Sequence, residues 1–197
     1  LLGFLLGAIV MVIFDYNPIA GYRAMFEGSL GSPYYIGETL RQATPLIFTA
    51  LGFSVASAAG FFNIGLAGQA LAGWLISVMV ALAFPDLPKP VLLPLAIIAG
   101  TLAGALYAAI PGYLRAYFGT SEVIVTIMLN YTMLYISNHM VRNVLTENLG
   151  DSTPSISENA TLRMQSLSSW TGGSNLNGGL YVALVALVLV WFVMHKT

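Results

Sequence analysis

The sequence predicts an all-α polytopic membrane protein. Three observations carry this. Hydrophobic residues make up 57% of the 197 and charged residues 8%, where a soluble domain carries about 25% charged residues. Mean hydropathy is +0.81. Long apolar runs recur along the chain, divided by short breaks rich in Gly, Pro, Asn and charge. A water-soluble fold would leave that apolar surface uncovered. The net charge of −1 offers no basic surface for nucleic acid. The absence of cysteine excludes disulfides, thiolate metal sites and a cysteine nucleophile.

Six segments are expected, near residues 1–14, 43–60, 66–84, 91–113, 122–141 and 178–195, in one membrane domain over 1–197. Leu1–Phe14 has neither a basic leader nor a small-residue cleavage site, so it does not read as a signal peptide. As a helix it spans about 21 Å, short of the roughly 30 Å hydrocarbon core. The last run ends three residues before the chain does. The expectation is a piece of a longer polytopic protein.

Asp15-Tyr16-Asn17-Pro18 stops the first run. Pro18–Gly28 spaces Ile19, Tyr22, Met25 and Phe26 as one helix face, with Arg23 and Glu27 an i,i+4 pair on the wetter side, and reads as an interfacial helix. Gly28–Gly37 reads as a connector. Arg41 then marks the wet end of the second segment, with Pro45 in its first turns. Pro85-Asp86-Leu87-Pro88-Lys89-Pro90 is a short loop. Pro111-Gly112 weakens the end of the fourth segment, and Thr120 and Ser121 can cap the fifth, which Glu122 opens. Asn130 and Tyr131 lie in its middle. Arg142–Asn177 is a long polar loop in which Leu162, Met164, Leu167 and Trp170 could form a surface patch.

The chain is organised around Gly60-Phe61-Phe62-Asn63-Ile64-Gly65-Leu66-Ala67-Gly68-Gln69. Lipid offers no hydrogen-bond partner, so polar groups between two apolar runs must be satisfied by protein or water. The stretch is either a turn at the membrane surface or a broken, closely packed helix lining a path. Phe62, Asn63, Gln69 and Asn130 are the candidates for that path. Amides can donate to and accept from sugar hydroxyls, and a phenyl ring can stack on a base. Each amide can equally be a helix–helix hydrogen bond. Gly60, Gly65, Gly68, Gly100 and Gly104 suit close helix packing.

Asp15, Glu38, Asp86 and Glu122 all sit at segment boundaries, so no carboxylate lies at mid-depth where a proton- or sodium-coupled carrier usually places one. There is no phosphate-binding G-x-x-x-x-G-K-[ST]. Energy for transport would come from another chain. Two histidines, His139 and His195, are too few for a zinc site, and neither a metal nor a cofactor is expected. Gly52-Phe53-Ser54-Val55 with His139 on another segment is a remote match to an intramembrane serine protease.

Glu38-Thr39-Leu40, Ala43-Thr44-Pro45-Leu46-Ile47, the F-N-I-G-x-x-G-Q run from Phe62 and the E-V-I-x-T-I-M-L-N-Y run from Glu122 resemble permease subunits of bacterial ABC importers. That family handles simple sugars, branched-chain amino acids and nucleosides, and the last two runs look most like the nucleoside branch. The resemblance covers nearly the whole chain. It implies a truncated type II importer transmembrane domain in the bacterial inner or plasma membrane. The N-terminus would be cytoplasmic and 15–42, 85–90 and 142–177 would lie outside. It implies a cytoplasmic ATP-binding subunit, a second permease in a heterodimer, an extracytoplasmic solute-binding protein and the lipid bilayer as partners. The principal ATPase-docking loop would begin where this chain stops. That leaves 113–121, with Arg115 and Glu122, as the ATPase-side loop. Counting Lys and Arg gives the opposite orientation, because Arg23, Arg41, Lys89, Arg142 and Arg163 fall in the first, third and fifth connections, and only Arg115 and Lys196 in the others. The alternative function is a secondary transporter of a small neutral solute.

Overall fold

The computed structural model describes residues 1–146, 150 and 152–196. They form eight α-helices: α1 Leu2–Ile13, α2 Pro18–Leu30, α3 Pro33–Ala58, α4 Leu66–Ala83, α5 Lys89–Phe118, α6 Glu122–Met140, α7 Gln165–Trp170 and α8 Gly179–Lys196. A π turn covers Val141–Leu145 and a 3-10 turn Glu158–Ala160. Among the described residues there is no strand, only an isolated antiparallel bridge between Arg163 and Asn177. By length and composition α4, α5 and α8 can each cross a bilayer. α1 is apolar but shorter.

The chain divides into two compact units. The first comprises Leu1–Leu46 and Arg163–Leu184. Here Asn17 both ends the first connection and starts α2. Its Oδ1 accepts from the Ile19 and Ala20 amides at 3.0 and 3.2 Å, and Pro18 fills a helix start that needs no donor. Tyr22 reaches back to α1, donating to the Phe4 carbonyl and meeting the Phe4 ring edge-on at 5.3 Å. Arg23 and Glu27 pair at 2.7 Å, but both are so exposed that the pair is worth at most about 0.5 kcal/mol.

α3 corrects the sequence reading. It begins at Pro33 rather than near 43, which places Pro45 well inside the helix. Glu38, Arg41 and Gln42 make this stretch look like a connector, yet the two charged groups are used locally. Glu38 accepts from the Asn175 amide at 2.7 Å and from Arg41 Nε at 2.8 Å. The chain after α7 folds against this turn. Gly37 lies so close to Ser174 and to Thr171 Cβ that no side chain fits there. Thr171 and Ser174 share a buried 2.6 Å hydrogen bond. Of the expected surface patch, Leu167 turns inward and Trp170 outward. The parts of the long polar loop at 147–149 and 151 lie outside the described residues.

The Asn175 amide, and after it the Arg41 guanidinium, hold the Glu38 carboxyl below the usual carboxylate range. A lowered folded-state value means the bond helps the fold at neutral pH and is lost as pH falls through that value. Acidification should therefore loosen 171–177 against α3. Glu38→Gln should remove the pH dependence. Amide exchange of the 171–177 peptide, corrected for intrinsic rates and followed by mass spectrometry from neutral into the acid range, reads this out. Equal protection in both proteins at all pH values would contradict it.

The second unit comprises Ile47–Leu162 and Val185–Thr197. Ala72 and Leu75 of α4 and Met133 of α6 form its buried centre, with Leu71, Met79, Tyr107 and Met140 packed around them. α4 and α5 approach to backbone contact. A Cβ on Gly73 would lie 2.9 Å from the Gly100 carbonyl oxygen, and one on Gly100 would lie 2.7 Å from the Gly73 oxygen. Ser77 Oγ donates to the Ala96 carbonyl at 2.9 Å across the same seam. The opposite side of α5 is apolar and uncovered, with Leu106 70% exposed, as suits a lipid-facing helix. α5 is longer at both ends than expected. It runs through Pro111 and Gly112 to a left-handed Gly119, whose N–H returns to the Arg115 carbonyl. Ser121 starts α6 without a side-chain cap, and the Thr120 hydroxyl finds no partner, so neither caps it as the sequence suggested.

Candidate solute path

α3 ends in a turn that only glycine adopts easily. Gly60 has φ +73°, and its N–H donates to the Ser57 carbonyl while that of Phe61 donates to Ala56. The space where its Cβ would stand is open, so conformation, not packing, requires this glycine. Arg115 of α5 holds the turn. One guanidinium nitrogen donates to the Gly60 carbonyl at 2.9 Å and to Glu122 Oε1 at 2.6 Å, and the group lies over the Phe61 ring at 5.3 Å. Phe62 is half exposed and meets Phe53 edge-to-face at 5.6 Å.

Asn63 is buried. Its Oδ1 accepts from the Gly65 amide at 2.8 Å, which closes the loop locally. It also pairs reciprocally with Gln69, each amide donating to the other at 3.1 Å. Gly65, the residue before α4, has no side chain with which to cap the helix. The missing cap comes from α6. Asn130 Oδ1 accepts from the Gly68 amide at 2.8 Å, one of the first-turn donors a helix leaves unpaired, and its Nδ2 donates to the Ile64 carbonyl at 2.9 Å. Gly68 permits the approach: a Cβ there would lie 2.9 Å from Asn130 Oδ1 and 3.1 Å from Asn130 Cα. A Cβ on Gly65 would crowd Asn63, Gln69 and Thr126 at 3.0–3.1 Å, and one on Gly104 would stand 3.2 Å from the Gln69 carbonyl oxygen.

The structure thus brings Asn63, Gln69 and Asn130 into one uncharged cluster that closes a break between α3 and α4. Phe62 stands at its exposed side. Sequence reasoning missed Tyr107, whose hydroxyl donates to the Leu129 carbonyl at 2.7 Å beside Asn130, and buried Thr126, which bonds back to the Glu122 carbonyl at 2.7 Å. A tyrosine in mid-segment was the available signal for the first. The serine–histidine pair is not assembled. Ser54 donates to the Ala50 carbonyl in its own helix, and His139 Nδ1 lies 3.1 Å from Asn143 Nδ2. Among the described residues no three His, Cys, Asp or Glu converge.

Residues 35–197 match the family described as branched-chain amino acid transport system / permease component. The chain is 52% identical to the nucleoside ABC transporter permease protein NupB of Lactococcus lactis, over 99% of the chain and 55% of that protein. It is 45% identical to the guanosine ABC transporter permease protein NupP of Bacillus subtilis, over 100% of the chain and 56% of that protein. It is 31% identical to the glucose ABC transporter permease protein TsgB13 of Haloferax volcanii, over 97% of the chain and 52% of that protein. The chain therefore spans about half the length of the curated relatives it matches. No solved structure matches it. On the strength of the match over residues 35–197, this all-α membrane chain belongs to the branched-chain amino acid transport system / permease component family.

Proposed function

We propose that the chain is the membrane-spanning part of an ATP-driven importer that moves nucleosides inward by alternating access, as a transport subunit and not an enzyme. The carrying observation is identity of 52% and 45%, over essentially the whole chain, to permeases named for nucleosides and for guanosine. The geometry supports a neutral cargo, because the break is lined by amides and an aromatic ring. In this reading the chain crosses a bacterial cell membrane six times with its N-terminus in the cytoplasm. It works with a cytoplasmic ATP-binding subunit, a second and different permease, and an extracytoplasmic solute-binding protein. Asn63, Gln69 and Asn130 hold the path open or closed, and Phe62 faces the solute. Arg115 and Glu122 lie at the ATPase-side end, where Arg115 ties the 60–61 turn to the start of α6.

Uptake of labelled guanosine by cells with and without the gene encoding this chain, its neighbours intact, tests the reading. Uptake should disappear on deletion and be competed by unlabelled nucleosides but not by ribose or branched-chain amino acids. Competition by ribose or a branched-chain amino acid would keep the permease and replace the cargo. Gene-dependent uptake that persists without any ATP-binding partner would favour a secondary transporter.

A further inference from the structure

The amides of the break are largely committed to one another and to the backbone, which leaves little of them for a solute in this arrangement. The same seam between α4 and α6 opens further along. Asn130, Leu134 and Asn138 lie on one face of α6 at four-residue spacing, about 6 Å apart along the axis. Beyond Asn130 the seam widens into a cavity of about 450 Å³, within the roughly 300–1,000 Å³ usual for small-molecule sites.

Trp74 of α4, 44% exposed, lines it together with Leu134 and Asn138 of α6. Arg142 and Thr153 also line it, Arg142 on the π turn, a helix form that recurs at functional sites. No hydrogen bond to another described residue engages the Asn138 side-chain amide, in contrast to that of Asn130. A lining that includes an exposed indole, an open amide and a hydroxyl matches a solute with a flat aromatic part and a polyhydroxylated part.

We infer that this cavity is a solute-contact site for a nucleoside, with Trp74 stacking on the base and Asn138 hydrogen-bonding the sugar or base edge. The inference rests on the nucleoside reading above and places the contact on residues outside the break. The break then acts as a closure beside the site.

The chain contains no cysteine, so Ser152→Cys, in the cavity lining but outside the proposed contacts, introduces a thiol that can be followed on its own peptide. In membranes holding the whole importer, guanosine should slow maleimide labelling of that peptide and glucose should not. Adding Trp74→Ala should abolish the protection, and adding Trp74→Phe should retain it, because stacking needs a ring. With residue 152 native, Trp74→Ala should cut guanosine uptake about tenfold, and Trp74→Phe should restore most of it. Thr153→Cys serves as a second reporter if residue 152 does not label. Labelling indifferent to guanosine at both positions, in an importer whose guanosine uptake still depends on the gene, overturns the inference and leaves the function standing. Equal protection by glucose also overturns it. Loss of gene-dependent nucleoside uptake overturns the function itself.

Discussion

Asn130→Leu should abolish solute uptake while the protein still inserts into the membrane at the wild-type level. Leucine is more favourable in lipid than asparagine, so insertion has no reason to fail. What fails is the joint between α4 and α6. The Gly68 amide and the Ile64 carbonyl lose their partners together, and each buried group left unpaired costs about 1–3 kcal/mol. The Gly68 position is buried and has no ready substitute. Thermal unfolding in detergent should fall, and uptake should fall further than stability alone explains if the break moves during transport. Wild-type uptake together with wild-type stability would show that Asn130 does no more than fill space.

Gly100→Ala should be strongly damaging although it adds only one methyl group. The added carbon meets the Gly73 backbone oxygen at 2.7 Å and collides with Ser77 Oγ. A serine side chain can rotate away, but a helical carbonyl cannot, so α4 and α5 must separate. Overpacking of this kind costs about 1–3 kcal/mol. Gly112→Ala, in the same helix with open space around it, is the matched control and should be neutral or slightly stabilising. Membrane yield and melting temperature of the two variants should differ clearly. Similar values would mean that the seam between α4 and α5 is slack.

Much of this was legible because lipid makes polarity conspicuous. The extent of α4 and the start of α6 follow from where apolar runs stop, while the expected Pro85–Pro90 loop is shorter, because α5 already begins at Lys89. The polar residues singled out, Asn63, Gln69 and Asn130, do come together. Less legible was what each one holds. Asn63 and Gln69 are six residues apart, but the Asn130 partners stand 62 and 66 residues away, and no local pattern announces such a pairing. The start of α3 was lost for a similar reason. Glu38 looks like a solvated end until Asn175, 137 residues on, turns out to be its partner. Pro111-Gly112 reads as a terminator because proline lacks a donor and glycine lacks preference. The buried seat of Pro111 and the cap at Gly119 carry α5 on to Phe118 regardless.

The polar joint between the start of α4 and α6 is made by amides alone, and that has an electrical meaning. A carboxylate could have capped Gly68 as well as Asn130 does. Moving one elementary charge across the membrane potential changes the energy by about 2.3 kcal/mol per 100 mV. An amide carries none. If the joint between α4 and α6 parts and re-forms during transport, it exchanges no energy with the voltage across the membrane, and the rate of that step should be the same in energised and depolarised cells.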